Sequence, residues 1–338
     1  MTSSSSPLHF AARVDDTVHR WRERVGRRRG QVPTIIPYTG YGGDGWMRVL
    51  GRVVLRPPGA SDPLISLRGW RSFTSTPVRD IEVTVTVGDS VRTIHADRGG
   101  VLDAHIEATL EPGWQQIQLS IADGISVEAP VFIVDGSVEF GILSDIDDTV
   151  MVTALPRPFL AAWNTFVLDE HARTPVAGMS VLYDRLVHAH PGIPVIYLST
   201  GAWNVAPTLT RFLSRNLYPS GPLLLTDWGP TGTRWFRSGP EHKRNNLRRL
   251  ATEFPRVKWL LVGDDGQHDP MLYGEFVDEH PENVAAVAIR QLTPGQAVLA
   301  GGRAEAENHT EGIPWLSAEN GAGLSEKLTA DGLLPREK

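Results

Sequence analysis

Cysteine is absent from all 338 residues. Disulfides, thiolate metal sites and a cysteine nucleophile are thereby excluded, and an intracellular protein is the simplest expectation. Long apolar runs are missing too. No stretch reaches the roughly 18 residues needed to span a bilayer, and the start MTSSSSPLHFAARVDD lacks a basic segment followed by an apolar one. No membrane span or secretory leader is expected, so the location is expected to be cytoplasmic with membrane contact at most peripheral. Positive charge is in short supply, with 33 Lys and Arg against 39 Asp and Glu and a net charge of −6. A general nucleic-acid partner is excluded, because a phosphate backbone selects strongly basic surfaces. Internal repeats and low-complexity tracts are also lacking. What is present, 41% hydrophobic residues and 10 Trp, suffices for two cores at roughly 100–200 residues per domain.

Residues 1–31 begin with Phe10, Val14, Val18, Trp21 and Val25 at helical spacing, opposite Arg20, Arg22, Arg24, Arg27, Arg28 and Arg29. Such a basic amphipathic helix suits an anionic membrane surface. Its plainer reading is a helix packed on its own domain with its charges in water. From 32 to 136 the texture has period two. In DIEVTVTV, Ile81, Val83, Val85 and Val87 alternate with polar residues, and Ile117, Leu119 and Ile121 do so in WQQIQLSIA. With MRVLGRVVL, VLDAHIEATL and ISVEAPVFIV these runs predict an antiparallel β-sandwich.

From 137 to 292 continuous apolar runs alternate with helical patterns. VEFGILS, IPVIYLS, GPLLLTD, VKWLLVGD and VAAVAIRQL read as strands buried on both faces. Between them Met179, Leu182, Leu186 and Val187, and Leu209, Phe212 and Leu213, fall at helical spacing. The expected class is therefore α/β, a doubly wound parallel sheet preceded by the sandwich and the helix, with an insert from Val150 to Gly178. The tail 293–338 is weakly patterned, apart from a short helix through Leu324 and Leu328, and is expected to pack on this α/β domain.

Active residues of a doubly wound sheet gather beyond the carboxyl ends of its strands. The first run there delivers Asp145, Asp147, Asp148 and Thr149, the second Ser199, Thr200 and Gly201, and the fourth Asp264 and Asp265, with Asp269 close behind. Lys243 stands near a helix start marked by Pro240 and Glu241. Three aspartates within four residues repel one another unless a hard dication neutralises them, which suits Mg2+ with its carboxylate and water ligands. Phosphoryl transfer through an aspartyl nucleophile uses this set fully. Asp145 would attack phosphorus, and Asp147 would protonate the leaving oxygen and then activate water. Ser199, with Thr200 as its alternative, and backbone N–H groups would hold phosphate oxygens. Lys243 would balance charge, with Lys258, Arg244 and Arg248 as competitors for that place. Asp145, Asp147 and Asp264 would hold the metal, with Asp148, Thr149, Asp265 and Asp269 behind them. In TDWGPTGTRWFRSGP, Arg234 and its Trp and Phe neighbours could meet substrate or simply pack a loop.

DIDDTV, YLSTG, Lys243 and GDDGQHD, in this order, resemble the four motifs of the haloacid-dehalogenase superfamily of phosphatases. GILSDIDDTV, VAGMSVLYDRL, IPVIYLSTGAWN, HKRNNLRRLATEFP and WLLVGDDGQHDPMLYGEF resemble more closely the catalytic domain of the actin-patch phosphatidate phosphatase family, relatives of lipins, and GYGGDGWMRVLGRV resembles the segment opening those proteins' front half. The resemblance spans about residues 32 to 292. It implies Mg2+-dependent removal of phosphate from phosphatidate, a lipid phosphate substrate met at a membrane surface. Protein partners are not indicated. Three other readings remain open at this level: the same chemistry on a soluble phosphomonoester, a catalytically silent lipid-binding module, and a transferase holding a nucleotide sugar through Asp-x-Asp. Retention of Asp145 and Asp147 argues against the second, and Lys243 with the GDD site argues against the third.

Overall fold

The computed structural model describes residues 20–58, 75–122, 126–152, 174–226, 239–266, 268–300, 302 and 312–336. The expected contacts of Arg234, most of the insert, and the first half of the basic stripe lie outside these residues. Two compact units are present. One comprises Met1–Ile133 with Gly201–Pro207 and Thr226–Ser238, and the other Val134–Thr200, Thr208–Leu225 and Gly239–Lys338.

The first unit contains helix α1 over residues 20–28 and strands β1 (Val32–Pro37), β2 (Gly40–Gly43), β3 (Trp46–Arg56), β4 (Glu82–Val87), β5 (Ser90–His95), β6 (Val101–Glu107), β7 (Gly113–Ser120) and β8 (Ser126–Ile133). They form one eight-stranded sheet in the order β1-β3-β2-β8-β7-β4-β5, with β6 paired to β3. Neighbouring strands pair antiparallel, except β2 with β8, which run parallel. Alternation works as expected: Val83, Val85, Ile117, Leu119, Ala129 and Val131 enter a single buried cluster with Ile35, Met47 and Val53. Each such aliphatic side chain, fully buried, contributes about 1.5–3 kcal/mol. Strands β1, β2 and β5 are additions to the sequence reading. In β5 only Ile94 is buried, so its alternation is too faint to recognise. In α1 the expected apolar stripe is interrupted in the described part, because Trp21 is 62% exposed among arginines.

The second unit holds β9 (Phe140–Asp145), the short antiparallel pair β10 (Met151–Val152) and β11 (Thr174–Pro175), and α2 (Met179–Ala189). Then come β12 (Val195–Ala202), α3 (Ala206–Arg215), β13 (Leu223–Thr226), α4 (Gly239–Glu253), β14 (Lys258–Asp264), α5 (Asp269–Glu279), β15 (Val284–Arg290), α6 (Pro294–Ala300), β16 (Trp315–Ala318) and α7 (Gly321–Ala330). The sheet order is β13-β12-β9-β14-β15-β16. β9 lies parallel to both β12 and β14, and β15 and β16 continue in the same sense. Non-consecutive parallel neighbours require crossovers, and the intervening helices supply them. A central parallel strand is buried on both faces, which explains the unbroken apolar runs of β9 and β14. The helix around Leu324 and Leu328 forms as α7, with both leucines fully buried and Asn320 accepting from Gly323 N at its N-terminus.

Candidate active site

Asp145 is the last residue of β9, and the chain turns back at once. Ile146 O accepts from the N–H groups of Thr149, Val150 and Met151 at 3.4, 3.0 and 3.1 Å. Asp148 takes the left-handed conformation at φ 60° and donates its own N–H to Met151 O at 2.7 Å. Asp is among the few residues that tolerate this conformation. The turn keeps both Asp145 and Asp147 at the carboxyl end of the sheet. Thr149 Oγ1 donates to Asp145 Oδ2 at 3.3 Å, and Ser199, from the neighbouring β12, donates to Asp147 Oδ2 at 3.0 Å.

Lys243 is buried because it shares a face of α4 with Asn246, Leu247 and Leu250. Its Nζ lies 2.6 Å from Asp145 Oδ1 and 2.5 Å from Asp269 Oδ1. The competitors for its place are engaged elsewhere. Arg244 pairs with Glu275 and Arg248 with Glu279 along α4 and α5, while Lys258 is exposed at the opposite end of β14. Asp264 ends β14 and accepts from Gly266 N at 2.7 Å, and its own N–H reaches Asp269 Oδ2 at 3.3 Å. Carboxylate oxygens of Asp145, Asp264 and Asp269 all lie within 4.8 Å of one another, and all three residues are buried.

Burial is the largest influence on these groups. It pushes the Asp145 carboxyl well above the usual range; Lys243 opposes the rise, while Asp269, Asp147 and Asp264 add to it. Asp264 is pushed up to about 8 by burial and then by Asp269, again against Lys243. For Lys243 burial alone would pull the ammonium down, but Asp145 and Asp269 outweigh it and hold it above its ordinary value. Packed carboxylates of this kind favour either a proton or a bound cation.

The arrangement differs from the sequence reading in several particulars. Asp269, expected behind the metal ligands, stands directly in the carboxylate cluster and on Lys243. Asp147, expected as a ligand, is outside that cluster, and its carboxylate accepts from Ser199. The Ser199 hydroxyl, expected on phosphate, is turned to Asp147. Asp265, expected to orient Asp264, instead accepts from Leu292 N at 2.8 Å. Thr200 follows Ser199 on β12, and Gly201 O accepts from Thr226 Oγ1 at 3.1 Å. Arg290, ending β15 opposite Asp264, was not singled out, although the strand-end rule that selected the aspartates applies to it equally.

Gly263 illustrates how tightly the cluster is built. A Cβ there would lie 2.7 Å from Asp269 Oδ2 and from a Tyr273 ring carbon. Gly263→Ala is therefore expected to lower stability by about 1–3 kcal/mol, as overpacking does. Thermal unfolding checks this, and a variant that melts with the wild type would mean that Asp269 and Tyr273 yield freely.

Residues 140–291 match the family model described as the catalytic domain of phosphatidate phosphatase APP1. Phosphatidate phosphatase APP1 of Saccharomyces cerevisiae is 25% identical over 151 residues, covering 44% of this chain and 25% of that protein. An uncharacterized protein of Schizosaccharomyces pombe is 25% identical over 166 residues, covering 49% of this chain and 27% of that protein. The chain thus spans about a quarter of the length of these curated relatives. Among solved structures, a carbohydrate acetylesterase from Xanthomonas citri aligns over 88% of this chain and 74% of its own at 11% identity and a TM-score of 0.31, too slight a likeness to bear on fold or chemistry.

Proposed function

We propose, from the match of residues 140–291 to the model of the phosphatidate phosphatase APP1 catalytic domain, that the chain hydrolyses phosphatidate to diacylglycerol and phosphate through Asp145. On this reading the second unit is a haloacid-dehalogenase-type doubly wound domain and the first a β-sandwich. The observation that carries the proposal is the strand-end carboxylate Asp145 paired with buried Lys243 inside a cluster with Asp264 and Asp269.

The donor set is made of carboxylate oxygens and fits Mg2+. Asp145, Asp264 and Asp269 would hold the ion, which when bound supplies positive charge to the phosphoryl oxygens. This chain's own residues do the rest. Asp145 Oδ attacks phosphorus and the bond to the glycerol oxygen breaks, leaving an aspartyl phosphate. Asp147 gives its proton to the departing oxygen, then takes one from the water that cleaves the acyl phosphate, so that phosphate leaves and both carboxyls return to their starting states. Ser199 holds Asp147 in place by the 3.0 Å hydrogen bond. Lys243 restrains Asp145 and offsets the charge that the phosphoryl group brings.

The test is phosphate release from phosphatidate in mixed micelles and from a panel of soluble phosphomonoesters. Preference for the micellar lipid is expected. Preference for a soluble ester would keep the chemistry and replace the substrate, and no release from any member of the panel would leave a silent lipid-binding module.

Contact with the lipid surface is assigned to α1. Among the described residues no helix is long and apolar enough to cross a membrane. In α1 and the turn after it, Arg20, Arg22, Arg24, Arg27, Arg28 and Arg29 are exposed around exposed Trp21, and each arginine near an anionic surface contributes about 1 kcal/mol. Replacing Arg22, Arg24 and Arg28 by Gln is expected to weaken binding to phosphatidate-containing vesicles about a hundredfold at low salt. Turnover of soluble esters should persist. Unchanged vesicle sedimentation would return α1 to a purely structural role.

A further inference from the structure

Lys243 makes direct ion pairs with only two carboxylates of the acidic site. Asp145 and Asp269 face it, but Asp148, Asp264 and Asp265 have a second cation, Arg290, as their common electrostatic neighbour. Arg290 ends β15 in register with Asp264 on β14, and only 4% of it is exposed. Its Nη1 donates to Asp148 O at 2.7 Å and its Nη2 to Gln296 Oε1 at 2.7 Å. Gln296 Oε1 also accepts from Thr293 N at 3.1 Å, which ties the far side of the guanidinium to the start of α6.

These contacts grip one residue from both sides. Asp148 N–H is held by Met151 O and Asp148 C=O by Arg290, so the left-handed residue that reverses the chain after Asp147 has both its polar backbone groups fixed. Burying a guanidinium is costly unless its charge is used. Burial pulls Arg290 below its ordinary basicity, and Asp148, Asp264 and Asp265 resist that pull. Its Nε makes no hydrogen bond among the described residues, a penalty that an apolar side chain bracing the same strand end would not carry.

We propose that Arg290 is a positioning residue for Asp147: by fixing the Asp148 carbonyl it sets the aim of the proton-transferring carboxylate and adds positive charge beside the carboxylates that Lys243 does not pair with directly. The inference rests on the reading of Asp147 as general acid and base. It predicts a defect in proton transfer, distinct from a defect in substrate binding or nucleophilic attack.

The experiment compares wild type, Arg290→Met, Arg290→Lys and Gln296→Ala on an alkyl phosphate, whose departing oxygen needs a proton, and on an aryl phosphate with an acidic leaving group, which needs none. Acid-quenched samples report the phosphorylated enzyme, and hydrogen exchange across residues 146–151 reports the turn. In Arg290→Met, kcat on the alkyl ester should fall roughly a hundredfold, in the lower range for loss of general acid–base help. KM should change little. The phosphorylation burst on the aryl ester should survive and the labelled enzyme should accumulate, because hydrolysis of the aspartyl phosphate also needs Asp147. Exchange in the turn should accelerate.

Arg290→Lys keeps the charge but cannot span both acceptors, and Gln296→Ala keeps the arginine but frees one of its arms. Each should show the same leaving-group dependence to a smaller degree, which decides the matter if Arg290→Met does not fold. Equal loss of the phosphorylation rate on both esters, or unchanged kcat in all three variants, would overturn the positioning role while leaving the phosphatase reading intact. A wild type that neither releases phosphate nor takes up label would overturn the phosphatase reading itself; unchanged exchange in the turn would then dispose of the positioning role as well.

Discussion

Asp145→Asn should remove turnover by on the order of 10⁴-fold or more, in line with the loss of a nucleophile that acts as one unit with its partners, and should abolish any acid-stable phosphorylated enzyme. The same change should leave the protein folded and at least as resistant to heat as the wild type. The reason is electrostatic. Asp145 is a buried carboxylate whose ionised form is disfavoured first by burial and then by Asp269, Asp147 and Asp264, with Lys243 as the opposing influence. An amide of nearly the same shape removes one charge from the cluster and leaves Lys243 its 2.5 Å contact with Asp269. Gain or retention of stability with loss of chemistry separates a site residue from a structural one. Near-normal turnover in this variant would rule out the aspartyl-phosphate route.

Chelation should have the second largest effect. EDTA is expected to stop phosphate release, Mg2+ to restore it, and Zn2+ alone to fail, because the cluster supplies oxygen donors and no thiolate. A readout independent of activity accompanies this. An ion that binds only the folded chain raises its stability by about 2.7 kcal/mol at a hundred times its dissociation constant, so the melting temperature should climb with Mg2+. In Asp264→Asn that climb should be largely lost, since one of the three converging carboxylates becomes a neutral amide. Full restoration by Zn2+, or a melting temperature indifferent to Mg2+ in the wild type, would refute the assignment of a hard-dication site.

These expectations draw on two kinds of information. Asp145, Asp147, Ser199, Lys243 and Asp264 could be singled out from one-dimensional pattern, because a buried parallel strand is written as an unbroken apolar run and its first polar residues must emerge at the sheet's carboxyl end. Five of the six strands of that sheet were legible in this way. The sixth, β16, has four half-buried residues and no such run. Lys243 could be ranked above its competitors by its place near a helix start, but its preference became physical only when Arg244 and Arg248 were found paired across to Glu275 and Glu279.

What chain order and residue pattern determined by themselves was the α/β class of the second unit and which strand ends carry its acidic residues, since both follow from hydrophobic period and strand-end polarity, which are local properties. Tertiary structure alone decided the partners within the site. The register of β14 against β9 and β15 sets Asp264 beside Arg290, the left-handed Asp148 turns Asp147 toward Ser199, and the start of α5 folds Asp269 back onto Lys243 and Asp145. Hydrogen bonds and direct ion-pair contacts hold only over about 3–4 Å, so a shift of one residue in strand register would exchange these partners without altering a single letter of the motifs.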